Sequence, residues 1–201
     1  MRAAAAELRG RETYFLLIDS IVPRPIAWVT SLAPDGSLNL APFSFFNGVS
    51  SRPPILSISI ASKAVTDSEG QRSFKMKDTA RNILDVGEFV VHLSSMDSLP
   101  EVERSAEHHP PGTNVPELLG LSTEPGTWVS VPRLRAAPIA MECRLEKVVE
   151  VGRPVTHLVL GEVLGWHVDD RLLDAEGRIS FAAWGPLARM GVDGYGSVEP
   201  C

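Results

Sequence analysis

The stretch Ile26-Ala27-Trp28-Val29-Thr30-Ser31-Leu32-Ala33-Pro34-Asp35-Gly36-Ser37-Leu38-Asn39-Leu40-Ala41-Pro42-Phe43 sets two β-type runs on either side of a Pro-Asp-Gly break. Such a break carries its own turn chemistry, so the spacing predicts a hairpin of strands 26–31 and 38–43. Further along, Leu56, Ile58 and Ile60 alternate with Ser57 and Ser59, the period of a strand with one buried face. Met141, Cys143 and Leu145 alternate with Glu142, Arg144 and Glu146. After a Gly152-Arg153-Pro154 turn a long strand runs from Val155 to Val168, in which Gly161 and Gly165 predict bulges. One helix has both ends marked: Asp78 or Thr79 as N-cap, Ala80, Ile83 and Leu84 at helical spacing, and Gly87 at the left-handed end. Ser98 with Glu101, and Asn114 with Glu117, predict two more short helices in the excursion from Ser94 to Val131. Strands alternating with turns rather than with long helices disfavour a doubly wound parallel sheet and favour an antiparallel barrel, closed or partly open.

The chain has 201 residues, 44% hydrophobic and 22% charged, the composition of a globular protein rather than of a disordered segment or coiled coil. No linker or repeat divides it, and a single domain over 1–201 is expected, with its core at about 15–195. The net charge of −6 and the absence of any Lys/Arg run argue against a nucleic-acid partner. Apolar runs fall far short of the ~20 residues that span a bilayer, and the start lacks a secretory apolar segment, so a cytoplasmic location is expected. Two cysteines, Cys143 and Cys201, make no disulfide framework.

The usual catalytic constellations are missing. His108 and His109 are adjacent and diverge; His157 and His167, ten apart on one strand, lie ~33 Å from each other by strand rise. His92, alone in an apolar strand, reads as a satisfied core histidine. Cys143 has no base beside it, no serine sits in a Gly-x-Ser-x-Gly elbow, and neither Gly-x-Gly-x-x-Gly nor a P-loop occurs. Two patches remain. Lys75, Lys77, Asp78, Thr79 and Arg81 surround a helix start, where free N–H groups, a hydroxyl and cations suit a phosphate; a plain capped helix with solvated lysines explains them as well. The stretch Asn39 to Gly48 crowds Phe43, Phe45 and Phe46 among amides and hydroxyls, with Trp28 in the preceding strand, which suits a planar heteroaromatic ligand or simply a core turn.

In order and spacing, Arg24-Pro25-Ile26-Ala27-Trp28-Val29-Thr30-Ser31, Asn39 to Asn47 and Lys77-Asp78-Thr79-Ala80-Arg81-Asn82-Ile83 resemble the signature blocks of the flavin reductase-like family, in the branch of the nitrilotriacetate monooxygenase component B-like flavoproteins. Gly87-Glu88-Phe89-Val90-Val91, the strand entry at Ala137-Pro138, Gly161-Glu162-Val163 and Pro186-Leu187-Ala188-Arg189-Met190-Gly191 extend the resemblance over nearly the whole chain. It implies a mainly β, antiparallel Greek-key split barrel with a few short helices that binds FMN, usually in a homodimer with flavin at the interface. By the same resemblance Ser44, Phe45, Phe46 and Asn47 approach the flavin, Lys77, Asp78 and Thr79 hold its phosphate, and Arg24, Thr30, Ser59 and Ile60 complete the pocket; Arg189, with Tyr195, reaches across the dimer. No side chain is expected to act as acid or base, since the cofactor carries the chemistry. NADH or NADPH is the implied transient hydride donor, with electrons passing on to an acceptor or a partner monooxygenase. A flavin carrier or sensor without turnover, or a scaffold dimer, is the alternative. Two departures stand out: His92 occupies the place of an expected asparagine, and Thr66 to Lys75 is unusually charged.

Overall fold

The computed structural model describes residues 2–110, 112–192 and 194–198, the side chains of 181 and 182 excepted; Cys201 lies outside them. In chain order the elements are α1 (Gly10–Ser20), β1 (Arg24–Pro25), β2 (Ala27–Leu32), β3 (Leu38–Phe43), β4 (Phe46–Ser51), β5 (Pro54–Ala61), β6 (Lys63–Thr66), β7 (Arg72–Lys75) and α2 (Asp78–Val86). There follow β8 (Glu88–Leu93), α3 (Leu99–Ser105), α4 (Val115–Leu118), β9 (Thr123–Glu124), β10 (Arg133–Leu134), β11 (Ile139–Val151), β12 (Thr156–Val168), α5 (Phe181–Trp184), β13 (Leu187–Met190) and β14 (Gly194–Ser197).

Seven strands form one antiparallel sheet in the order β3-β2-β8-β11-β12-β5-β4. Its two edge strands, β3 and β4, are consecutive in the chain, and β3 also touches β5, so the sheet curls until its edges meet at Ser44 and Phe45. Inside lie Val29, Ile58, Ile60, Phe89, Val91, Cys143 and Val159, with Ile83 of α2 closing one end. Outside, Trp28 and Leu40 pack with Val102, Val115 and Leu119 of the excursion and with Leu134 of β10, which is why β2 is buried on both faces. A second, three-stranded sheet, β1-β13-β14, joins the start of the barrel to the end of the chain.

The hairpin, the strand at 55–60, α2 and the two excursion helices stand where the sequence predicts them. The caps differ in detail. Lys77, not Asp78 or Thr79, is the N-cap of α2, and the Ser98 side chain makes no capping bond, whereas Asn114 accepts from the Glu117 N–H. The register shifts between β11 and β12 fall at Glu142/Cys143 and Leu145/Lys147, beside Gly165 and Gly161 rather than on them. The glycines answer to aromatic rings: a Cβ on Gly161 would lie 2.3 Å from Phe89 Cζ, and one on Gly165 2.2 Å from the Trp128 ring. Gly161→Ala is therefore expected to cost ~1–3 kcal/mol through overpacking of the barrel core. Chemical denaturation of the variant checks this, and a loss below about 0.5 kcal/mol would mean that Phe89 has room to turn.

Candidate functional site

The start of α2 forms one wall of a groove of about 500 Å³. Its first-turn N–H groups have no carbonyl within the helix to bond. Asn39 Nδ2 donates to Thr79 Oγ1 at 2.8 Å, which leaves the threonine hydroxyl proton free to point into the groove. Asp78 turns its carboxylate to Lys63 and Arg81, both at 3.2 Å, so it offers no donor itself and instead holds two cations at the rim. Lys77 has no carboxylate partner among the described residues. Its ammonium sits 5.6 Å from the Phe43 ring centre, and this desolvation, with Lys63 nearby, lowers its pKa. The facing wall is made by Ser105 to Pro110 with Gly112, Thr113 and Val115, and carries Glu107, His108 and His109; the acids Asp35 and Asp85 stand elsewhere in the lining.

A second pocket, about 190 Å³, adjoins it, with Ala106 lining both. It is bounded by Tyr14, Arg24, Phe43, Ser44, Arg189 and Tyr195. The Arg24 guanidinium is buried and donates to the carbonyls of Ile18, Ile21 (2.9 Å) and Gly191 (3.0 Å), and to Ser44 Oγ (3.4 Å). One side chain thus ties α1, the last hairpin and the β3–β4 corner together.

The remaining sequence-predicted residues lie elsewhere. Phe45, Phe46, Asn47 and Ser59 run along the β4–β5 edge, where Ser59 N–H donates to the Phe45 carbonyl and Asn47 Oδ1 accepts from the Gly48 N–H. Thr30 is buried and donates to the Pro132 carbonyl, and Ile60 belongs to the barrel core, so neither side chain reaches a groove. Asn39, the first residue of the Asn39–Gly48 patch, stands in the groove wall together with Lys63, which sequence reasoning did not single out. His92 lines neither groove and is the satisfied core histidine expected, with Nδ1 at 2.9 Å from the Trp28 carbonyl and Nε2 accepting from the Leu134 N–H. The charged stretch at 66–75 forms β7 and the turn before it. Cys143 is buried, and burial pushes its thiol pKa up. Among the described residues no three His, Cys, Asp or Glu side chains could hold a metal ion, and no helix is long and apolar enough to cross a membrane.

The model of the flavin reductase like domain matches residues 19–183. The chain belongs to the flavin reductase-like family. Among solved structures, this flavin reductase-like chain is similar to nitrilotriacetate monooxygenase component B from Bacillus cereus, at TM-score 0.91 and 34% identity, covering 100% of this chain and 96% of that one. It is also similar to 2-nitrobenzoate 2-nitroreductase of Pseudomonas fluorescens, at TM-score 0.85 and 28% identity over 100% and 94%. A split-barrel-domain protein of Shewanella frigidimarina shares the fold at TM-score 0.82 and 17% identity, over 100% and 96%. The expected mainly β, antiparallel split barrel with a few short helices is the observed architecture.

Proposed function

We propose that the protein is a single-domain, FMN-binding NAD(P)H:flavin oxidoreductase, cytoplasmic and homodimeric, that passes electrons to an acceptor or a partner monooxygenase. The observation that carries this reading is the start of α2: unbonded N–H groups, a Thr79 hydroxyl held by Asn39, and Lys77 with no carboxylate partner among the described residues, in the wall of a groove of ligand size. A phosphate monoester carries about −1.5 to −2 charges at neutral pH, and these groups offer it donors and positive charge. The carboxylates of Asp35, Asp85 and Glu107 disfavour a dianion along the rest of the groove.

When bound, FMN supplies the redox chemistry, taking up a hydride from a nicotinamide donor and giving up electrons. The chain's own work is binding and orientation. Lys77 and Thr79 anchor the phosphate end, Lys63 and Arg81 stay at the rim through Asp78, and the β3–β4 corner from Ser44 to Asn47 stands beyond Phe43 for the ring system. Support for a homodimer comes from β4, an edge strand with Phe45 beside it and Val49 within it both exposed, the kind of surface that a second copy covers.

The test is flavin titration followed by NADH and NADPH oxidation. Lys77→Ala with Thr79→Ala is expected to weaken FMN by ~10–100-fold, from the loss of charge-assisted hydrogen bonds, and to leave riboflavin, which has no phosphate, within about twofold. Equal loss for both flavins removes the phosphate assignment. Flavin that binds but stays oxidised with either nicotinamide replaces the reductase with a carrier or sensor.

A further inference from the structure

The sheet β1-β13-β14 places Arg24, Arg189 and Tyr195 in one cross-strand row: Arg24 stands directly opposite Arg189, and Arg189 directly opposite Tyr195. Like charges facing each other across a ladder destabilise it. Arg24 is only 4% exposed, which adds a desolvation cost, and among the described residues neither guanidinium has a carboxylate within ion-pair distance. Asp19 acts on Arg24 only through space, and the Arg24 pKa is lowered, by burial first and then by Arg189. Arg189 spends one donor on the Val192 carbonyl and stacks on Tyr195 at 4.4 Å from its ring centre. Both tyrosines of the chain, Tyr14 and Tyr195, line this pocket, together with the flat apolar faces of Pro42 and Phe43.

We infer that this second pocket is a seat for a small monocyclic aromatic carboxylate, held by Arg189 with the buried Arg24 charge behind it and with the pocket's aromatic walls around its ring. The Arg189 guanidinium suits a planar two-oxygen anion better than a point charge does, the buried Arg24 charge behind it adds to the attraction, and the aromatic walls select a ring over an inorganic ion. At about 190 Å³ the space is smaller than the roughly 300–1,000 Å³ of sites for drug-sized ligands, which points to a single ring. Because Ala106 is shared with the larger groove, the ligand lies next to whatever occupies that groove. Its use as a partner of the flavin rests on the function proposed above; the anion seat itself does not.

The probe is benzoate, titrated by calorimetry into the full-length protein with and without saturating FMN, with benzamide as the uncharged counterpart. Benzoate is expected to bind in both states, benzamide at least ~10-fold more weakly, and Arg189→Gln to lose at least ~10-fold for benzoate with FMN affinity unchanged, as expected when a charged hydrogen-bond partner is removed. The benzoate–benzamide contrast in the unaltered protein stands even where the variant fails to fold. The proposal is overturned by no benzoate binding at millimolar concentration, by equal binding of benzamide, or by competition between benzoate and riboflavin, which would give the pocket to the flavin ring. It is also overturned if Arg189→Gln weakens FMN but not riboflavin, which would make the arginine pair the phosphate site. Failure of FMN to bind with the benzoate contrast intact removes the flavin reading and leaves this seat in place.

Discussion

As the pH is lowered from 6.5 to 4, the unfolding free energy is expected to fall by up to about 3 kcal/mol through His92 alone. The ring is fully buried on β8 and bridges β2 and β10, bonding the Trp28 carbonyl on one side and the Leu134 N–H on the other. The Leu134 N–H needs a lone pair on Nε2, which puts the ring proton on Nδ1 and fixes the neutral tautomer. A second proton would set two N–H groups against each other in an apolar interior. Burial therefore pushes the His92 pKa down to about 4, against the opposing pull of the Trp28 carbonyl. An unfolded histidine takes up its proton near 6.5, so between the two values the unfolded chain binds more protons and stability falls with pH; below 4 this group costs nothing further. Urea unfolding at pH 7, 6 and 5 measures the slope, and His92→Asn removes the titrating ring. An unchanged slope in that variant would assign the acid sensitivity to other groups.

Much of the barrel was legible because its strands carry local signals. The Pro-Asp-Gly turn, the Leu56-Ile58-Ile60 alternation and the glycine that ends α2 each act within a few residues, and the structure follows them. What escaped is held by contacts between distant parts of the chain. Helix α1 buries only Ile18, so its periodicity is faint, and its last turn is docked through Arg24. Strand β4 is exposed along almost its whole length and has no apolar face to betray it. The site divides in the same way. Lys77 and Thr79 could be found because helix-start chemistry is written in consecutive residues. The row of Arg24, Arg189 and Tyr195 could not, since it exists only through pairing between the beginning and the end of the chain. The N-cap shifted to Lys77 because Asp78 is drawn to Lys63 and Arg81 and Thr79 to Asn39, so neither side chain turns back to cap.

Glu142→Leu is expected to cost ~3–5 kcal/mol, because it strips the acceptor from a buried cluster of donors. Glu142 is fully buried on β11, and its carboxylate accepts three successive N–H groups, from Thr127 (2.8 Å), Trp128 (2.5 Å) and Val129 (3.1 Å), with His167 Nε2 at 2.7 Å. Converging backbone donors of this kind make an anion seat that leucine leaves empty. The segment they belong to is also fastened by the Trp128 ring over Gly165, by Val129 and Val131 packed with Val90 and Ala140, and by the Glu88 carboxylate, which accepts from the Ser130 N–H (2.7 Å) and hydroxyl (2.6 Å). Burial alone would raise the Glu142 pKa, but the Thr127 and Trp128 N–H groups, His167 and the Val129 N–H together outweigh it and hold the carboxyl below the ordinary value. A lowered carboxylate pKa gives stability that is present above the unfolded value of 4.5 and lost as the pH falls through the folded one, so this contribution fails on the acid side of the His92 window. Glu142→Gln keeps the volume and one acceptor but turns an NH₂ toward backbone donors, and a smaller loss, ~1–3 kcal/mol, follows. Hydrogen exchange at the amides of Thr127, Trp128 and Val129 should accelerate in both variants ahead of the barrel strands. Neither groove is lined by these residues, so FMN affinity of the folded glutamine variant should stay within about twofold of the parent. A leucine variant within about 0.5 kcal/mol of the parent would mean that the loop is held by Trp128, the two valines and the Glu88–Ser130 bonds rather than by the Glu142 carboxylate.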